Sequence, residues 1–229
     1  MLGLQVSIGA LNDLVDAPRD AGRKPGKPIP RGAATPRDAR VIATAGGLVA
    51  VGLTAPSGPF AIGVLAIGAA CGYGYDLRLS RTAWSWAPLG IALPLVPVYA
   101  WLGATGGLPT SLVAVSAAGA LAGTGLSIAN GLADVERDEA GGSDSIVVRL
   151  GRRSAFVIHA AALAGAIAIA LIAGPAPRPL LLVGIVAVAG GVVAGWGGGP
   201  GRRERAWEVE AIGVALVGAG WIGALVNVG

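Results

Sequence analysis

Cysteine, histidine, methionine and charge are all scarce in this chain. Of 229 residues one is cysteine (Cys71), one histidine (His159) and one methionine, and only 13% are charged. A lone cysteine excludes an intrachain disulfide and offers no Cys-rich metal site. The single His159 lies inside an apolar segment, where it reads as a hydrogen-bonded helix residue; histidine-based zinc or triad chemistry is excluded. The shortage of charge says most about class, because soluble domains carry about 25% charged residues. With 54% hydrophobic residues and a mean hydropathy of +0.69, the chain falls in the membrane class. The net charge of +4 does not point to nucleic acid, because no basic stripe with interleaved aromatics accompanies it.

Long apolar runs and glycine are abundant. Runs cover about 37–54, 59–78, 84–104, 109–133, 152–174, 177–199 and 205–227, and each is predicted to cross a bilayer. Residues 1–11 are apolar but too short to cross, and they lack the basic start and small-residue cleavage site of a signal peptide. They read as the tail of a helix whose beginning is missing. The 39 glycines suit close helix packing in lipid, where small residues let backbones approach.

Two acidic stretches interrupt the apolar pattern. The first is Asn12-Asp13-Leu14-Val15-Asp16-Ala17-Pro18-Arg19-Asp20. On a helix Asn12, Asp16 and Asp20 share one face, with Asp13 beside Asp16. Carboxylates that close require a cation between them, and clustered hard oxygens suit Mg²⁺. Pro18 biases Ala17 away from the helical region, which predicts a kink or stop that fans Asp20 away from Asp16. A polar loop containing Lys24, Lys27 and Arg31 follows. The second stretch, Asn130-Gly131-Leu132-Ala133-Asp134-Val135-Glu136-Arg137-Asp138, repeats the first, with Asn, Leu, Asp, Arg and Asp in equivalent places.

The repeat extends to the helices. Each half reads as one helix, an acidic motif, a loop and three further helices. The expected fold is therefore an all-α, multi-pass transmembrane bundle: a single domain over 1–229, built as a parallel pseudo-repeat of four-helix halves at about 1–104 and 109–229. An even number of crossings separates the motifs, so both face one side and are expected to converge on one site. Of the 17 Lys and Arg, 16 fall in the loops of that side, Arg178 being the exception, and so do all 13 Asp and Glu. The positive-inside bias makes that side cytoplasmic. A transporter, the competing reading together with a catalytically silent membrane protein, would carry ionisable groups near the midplane.

Acidic clusters at one mouth, surrounded by Lys and Arg, are suited to Mg-diphosphate, and an apolar lining below suits a hydrocarbon tail. An isoprenyl diphosphate satisfies both. The residues also resemble a known family. Asn12-Asp13-x-x-Asp16-x-x-x-Asp20 matches the first motif of the UbiA-type intramembrane prenyltransferases, and Asp134-x-x-x-Asp138 matches the second. Lys27-Pro28-Ile29-Pro30-Arg31-Gly32 resembles the continuation after the first motif, and Val148-Arg149-Leu150-Gly151 the one after the second. The resemblance covers essentially the whole chain, lacking the family's first helix and part of its second.

It implies Mg²⁺-dependent transfer of a prenyl group to a lipophilic acceptor. That acceptor is most often an aromatic quinone precursor, otherwise a glycerol lipid, tetrapyrrole or sugar. Carried over, Asp13, Asp16, Asp20, Asp134 and Asp138 serve the metals, with Asp16, Asp134 and Asn12 closest to catalysis. Asn12, Lys27 and Arg149 lie at the diphosphate within a basic surround that includes Arg31. Arg78 or Arg81 stands where the family has a basic residue after the helix carrying Tyr75. Asp144 lies near a position where relatives carry a basic residue, which leaves one diphosphate contact in that loop open.

Overall fold

The computed structural model describes residues 1–20, 22, 26–174 and 179–226; Lys24 and Arg178 lie outside the described residues. Among the described residues the chain is helical throughout, with no strand. Eight α-helices follow one another: α1 (Leu2–Asp20), α2 (Pro36–Thr54), α3 (Pro59–Leu77), α4 (Ala87–Thr105), α5 (Leu112–Ala140), α6 (Ile146–Ala173), α7 (Pro179–Gly195) and α8 (Pro200–Val226). Prolines open α2, α3, α7 and α8, where the missing N–H has no intrahelical partner to lose. Thr35 and Asp38 close a capping box on α2: Thr35 N–H donates to Asp38 (2.8 Å), and Asp38 N–H donates to Thr35 Oγ1 (3.1 Å).

Among the described residues six helices are long and apolar enough to span a membrane. The apolar run at 177–199 holds the shorter α7, 17 residues or about 26 Å long. It stops at Gly195 because Trp196 and the run Gly197-Gly198-Gly199 follow, with Gly197 at φ 68°. The start of the chain differs from expectation. Pro18 stays inside α1, which continues to Asp20, so the acidic stretch is one uninterrupted helical face.

The helices pack as two compact units, Met1–Leu79 with Tyr99–Gly107, and Ser80–Val98 with Leu108–Gly229; the boundary falls within α4. In the first, Leu4, Ala50 and Leu65 form the core, with Ile8 and Tyr73 packed against them. Ser7 Oγ donates to Ala43 O (2.5 Å) and lies 2.7 Å from the Tyr73 hydroxyl, joining α1, α2 and α3. Helices α1 and α2 cross at Gly3 and Gly46, where a Cβ on Gly3 would stand 2.8 Å from Gly46 O and one on Gly46 2.7 Å from Gly3 O.

In the second unit Ile128, Leu132, Val135, Val147 and Ala155 form the core between α5 and α6. His159 is buried there; its Nδ1–H donates to Gly125 O (3.1 Å) and its Nε2 lies 3.4 Å from Glu210. The expected structural role of this histidine fits that placement. Helices α7 and α8 cross at Gly184 and Gly213 with the same mutual closeness, 2.6 and 2.8 Å.

Candidate functional site

The first acidic stretch gathers on one cation. Lys27, brought back by the loop after α1, places its Nζ 2.9 Å from Asn12 Oδ1, 3.3 Å from Asp13, 3.0 Å from Asp20 and 3.9 Å from Asp16. The predicted departure of Asp20 is therefore corrected. With Pro18 accommodated in the last turn, Asp20 stays on the shared face and is buried beside Lys27. Burial by itself would lower the pKa of this ammonium. The hydrogen bond and charge of Asp20, joined by those of Asp13, reverse the effect and leave it above its ordinary value. Arg19 reaches Asp16 at 3.6 Å from the same helix.

The loop that returns Lys27 is shaped by its prolines and glycine. Arg31 N–H donates to Lys27 O (3.1 Å), Gly32 N–H to Ile29 O (3.0 Å) and Ala33 N–H to Pro28 O (2.9 Å). Gly32 has φ 73°, a conformation that L side chains rarely adopt. Arg31 and Arg78 are exposed, and no ion pair of either is found among the described residues.

Asp76 is the residue that sequence reasoning passed over. It is buried at the end of α3, and its Oδ1 accepts from Asn12 Nδ2 at 3.1 Å. Asn12 Nδ2 also lies 3.3 Å from Asp16 Oδ2. Two carboxylates thus hold the amide nitrogen of Asn12, which leaves its Oδ1 toward the cation. The signal was present: Asp76 is the one acid in the apolar run 59–78, and an ionisable residue at such a place is costly without a function.

In the second unit Asp134 pairs with Arg137 one turn away on α5. Asp138 accepts from Ser145 Oγ (3.0 Å), and its carbonyl accepts from Ser143 N–H (2.9 Å). The loop behind them is anchored by Arg81, whose guanidinium donates to Gly141 O (2.5 Å) and whose carbonyl accepts from Asp144 N–H (3.1 Å). Arg81 thus supports the end of α5. Arg149 is held by Asp144 through two hydrogen bonds, Nε to Oδ1 at 2.8 Å and a second from Nη2. Those bonds keep the Asp144 carboxyl below the usual carboxylate range. Asp144 is therefore the partner of Arg149, a pairing that sequence spacing did not reveal. Gly151 closes this motif at φ 73°, ψ 154° and breaks α6 there; that region is essentially restricted to glycine.

The donor set fits Mg²⁺. Its oxygens come from carboxylates and an amide, and they already surround a single positive charge. Among the described residues no three carboxylates form a ready-made cage, and Mg²⁺ at phosphate sites typically takes only one or two carboxylates, with substrate oxygens and water completing the octahedron.

Comparisons with known proteins agree with these motifs. The model of the UbiA prenyltransferase family matches residues 1–222. The apo structure of a UbiA homolog from Aeropyrum pernix K1 superposes with a TM-score of 0.74 at 20% identity, covering 97% of this chain and 86% of that one. A structure described for digeranylgeranylglyceryl phosphate synthase in membranes gives 0.67 at 16% identity, covering 98% and 82%. No curated protein matches the chain. At these identities the two structures show the fold, and the family model carries the assignment. Eight helices, six of them apolar spans, and a family match that takes in both acidic stretches make this chain a member of the UbiA prenyltransferase family, an all-α integral membrane prenyltransferase.

Proposed function

We propose that the protein transfers a prenyl group from an isoprenyl diphosphate to a lipophilic acceptor in a Mg²⁺-dependent reaction, with an aromatic quinone precursor as acceptor. The observation that carries this reading is the ring of Asn12, Asp13, Asp16 and Asp20 oxygens around the Lys27 ammonium. The acceptor class rests on the commonest choice in the family.

Asp13, Asp16 and Asp20 would serve one metal, with Asn12 Oδ1 kept toward it by Asp76, and Asp134 and Asp138 would serve another. Bound Mg²⁺ supplies Lewis-acid stabilisation of the departing diphosphate. Lys27 would donate to phosphate oxygens beside the first motif, and Arg149 beside the second. These donors stabilise the negative charge that develops as the allylic C–O bond breaks, which is where preorganised groups accelerate the step. The tail has an apolar place in the first unit: a 360 Å³ pocket lined by Leu4, Val51, Ile62, Leu65, Ala69 and Tyr73. Leu4 and Asn12 share α1, about 12 Å apart along its axis. The acidic motifs face the cytoplasm in this reading, which the distribution of Lys and Arg supports.

Asp16→Asn and Asp134→Asn test it. Each keeps the side-chain volume and loses the charge, and turnover should fall at least ~10²-fold, about 2.7 kcal/mol of transition-state stabilisation. Excess EDTA should abolish activity and added Mg²⁺ restore it. Glu139→Gln, exposed on α5 beside the second motif, should leave turnover intact. Near-normal turnover in the Asp variants, or equal damage from Glu139→Gln, refutes the assignment. Mass spectrometry of products from parallel incubations with an aromatic acid and a glycerol lipid decides the acceptor.

A further inference from the structure

Three arginines of the second unit line a pocket that the prenyl-transfer reaction does not use. The cavity, about 520 Å³, is bordered by Leu132 of α5, Arg152, Arg153 and Phe156 of α6, Trp196 after α7, and Arg203 of α8. Phe156 and Trp196 meet edge to face at 4.7 Å, so the pocket pairs an aromatic wall with a cationic one. Arg203 is 4% exposed. It donates to Gly198 O (2.6 Å) and pairs with Glu136, yet its buried Nε–H has no hydrogen-bond partner. Arg152 donates to the same carbonyl (2.8 Å) and stands 4.0 Å from Glu136. Arg153 has no ion pair among the described residues.

The charges do not balance. Among the described residues Glu136 is the one acid paired with these arginines, and it answers one positive charge of three. Arg152 and Arg153 are exposed and solvated, so they are available to an anion, and the buried Arg203 guanidinium N–H left without an acceptor carries a desolvation penalty. An anion with an apolar body attached complements both the cationic and the aromatic wall. Guanidinium forks match phosphate oxygens in number and geometry.

The pocket is also distinct from the acidic motif. Leu132 and Glu136 each sit two residues from Asp134 or Asp138, about 200° around α5 at 100° per residue, so they project from the opposite side of the helix. We infer that this pocket binds the phosphate of an anionic membrane phospholipid, with the proximal part of its hydrocarbon against Phe156 and Trp196. Arg203 and Arg152 contact the phosphate, and Arg153 closes over it.

The test uses the full chain reconstituted in nanodiscs of phosphatidylcholine doped with phosphatidylglycerol, released for native mass spectrometry. The wild type should retain phosphatidylglycerol at least several-fold over its mole fraction. Arg152→Gln/Arg153→Gln should lose that preference while keeping its thermal transition in pure phosphatidylcholine; both positions are exposed, and the change leaves the buried Arg203 in place. Arg40→Gln, an exposed cation on α2, should retain the lipid as the wild type does. Equal retention of both lipids by the wild type, or undiminished preference in the double variant, overturns the inference. Inorganic phosphate separates the two sources of the anion. If millimolar phosphate in pure phosphatidylcholine stabilises the wild type as phosphatidylglycerol does, and displaces that lipid, the site is one for free phosphate and the lipid assignment falls.

Discussion

Replacing Lys27 with Met should make the protein depend on divalent metal for its stability. One unit pair at the 3.0 Å separation of Lys27 and Asp20 is worth about 5 kcal/mol at an effective dielectric of ~20. Most of that is offset by desolvation, and removing one partner from a fully buried pair costs about 3–5 kcal/mol. Lys27 keeps 23% side-chain exposure, and Asp13 and Asp16 keep 26% and 31%. Solvent therefore screens part of the interaction, and the expected loss is about 2 kcal/mol. The three carboxylates left on one helix face would then accept Mg²⁺ without first displacing an ammonium. Metal at a hundred times its Kd contributes about 2.7 kcal/mol, enough to restore the variant.

The assay is thermal unfolding in detergent, with and without Mg²⁺, beside Mn²⁺ titration followed by electron paramagnetic resonance. Lys27→Met should melt several degrees lower without metal, regain that loss with it, and bind Mn²⁺ more tightly than the wild type when no diphosphate is present. Lys27→Arg should behave as the wild type in stability. A metal-free Lys27→Met protein as stable as its parent, or one that Mg²⁺ stabilises no more than its parent, refutes the argument.

Asp144→Asn frees Arg149 and should lower the KM for the prenyl diphosphate several-fold with kcat unchanged. Because Asp144 is held below the usual carboxylate range, the pair persists above the ordinary pKa near ~3.9 and loosens only as pH falls through its lower folded value. The difference between variant and wild type should therefore stay flat between pH 5 and 8. Gly151→Ala should cost about 1–3 kcal/mol, since φ 73°, ψ 154° admits essentially glycine alone; calorimetry or a dye-based melt reads it. For topology, Gly107→Cys should react with an impermeant thiol reagent on intact cells and Ala140→Cys should not, the reverse pattern overturning the orientation. Gly107 is preferable to Gly106, whose φ of 73° would strain any side chain.

Much of this was legible in the sequence because periodicity and hydropathy are local properties. Apolar runs gave the helices, and the spacing of Asn12, Asp16 and Asp20 gave their common face. Pro18 misled because its effect on Ala17 is a bias, and packing of α1 against α2 and α3 outweighs a bias in the last turn of a helix. The contacts that define the site are of another kind. Lys27 on Asp20, Asp76 on Asn12 and Arg203 on Glu136 link residues brought together only by folding, and no period in one sequence encodes them. Asp76 is the instructive case, since its isolation among apolar residues marked it without naming its partner.

The reciprocal glycine crossings have a consequence for anyone trying to make this protein sturdier. Replacing helical glycine by alanine is a standard route to a more robust chain, gaining close to 1 kcal/mol at an open position. At Gly3, Gly46, Gly184 and Gly213 the added methyl would meet a backbone atom of the crossing helix at 2.6–2.8 Å, and a backbone cannot step aside as a side-chain tip can. The same substitution therefore reverses its sign there. Exposed helical glycines such as Gly52, Gly63 and Gly190 have nothing within 4 Å of the added carbon. The 39 glycines thus include both hinge pins and spare threads, and a thermostabilised version can be drawn from the second kind without touching the first.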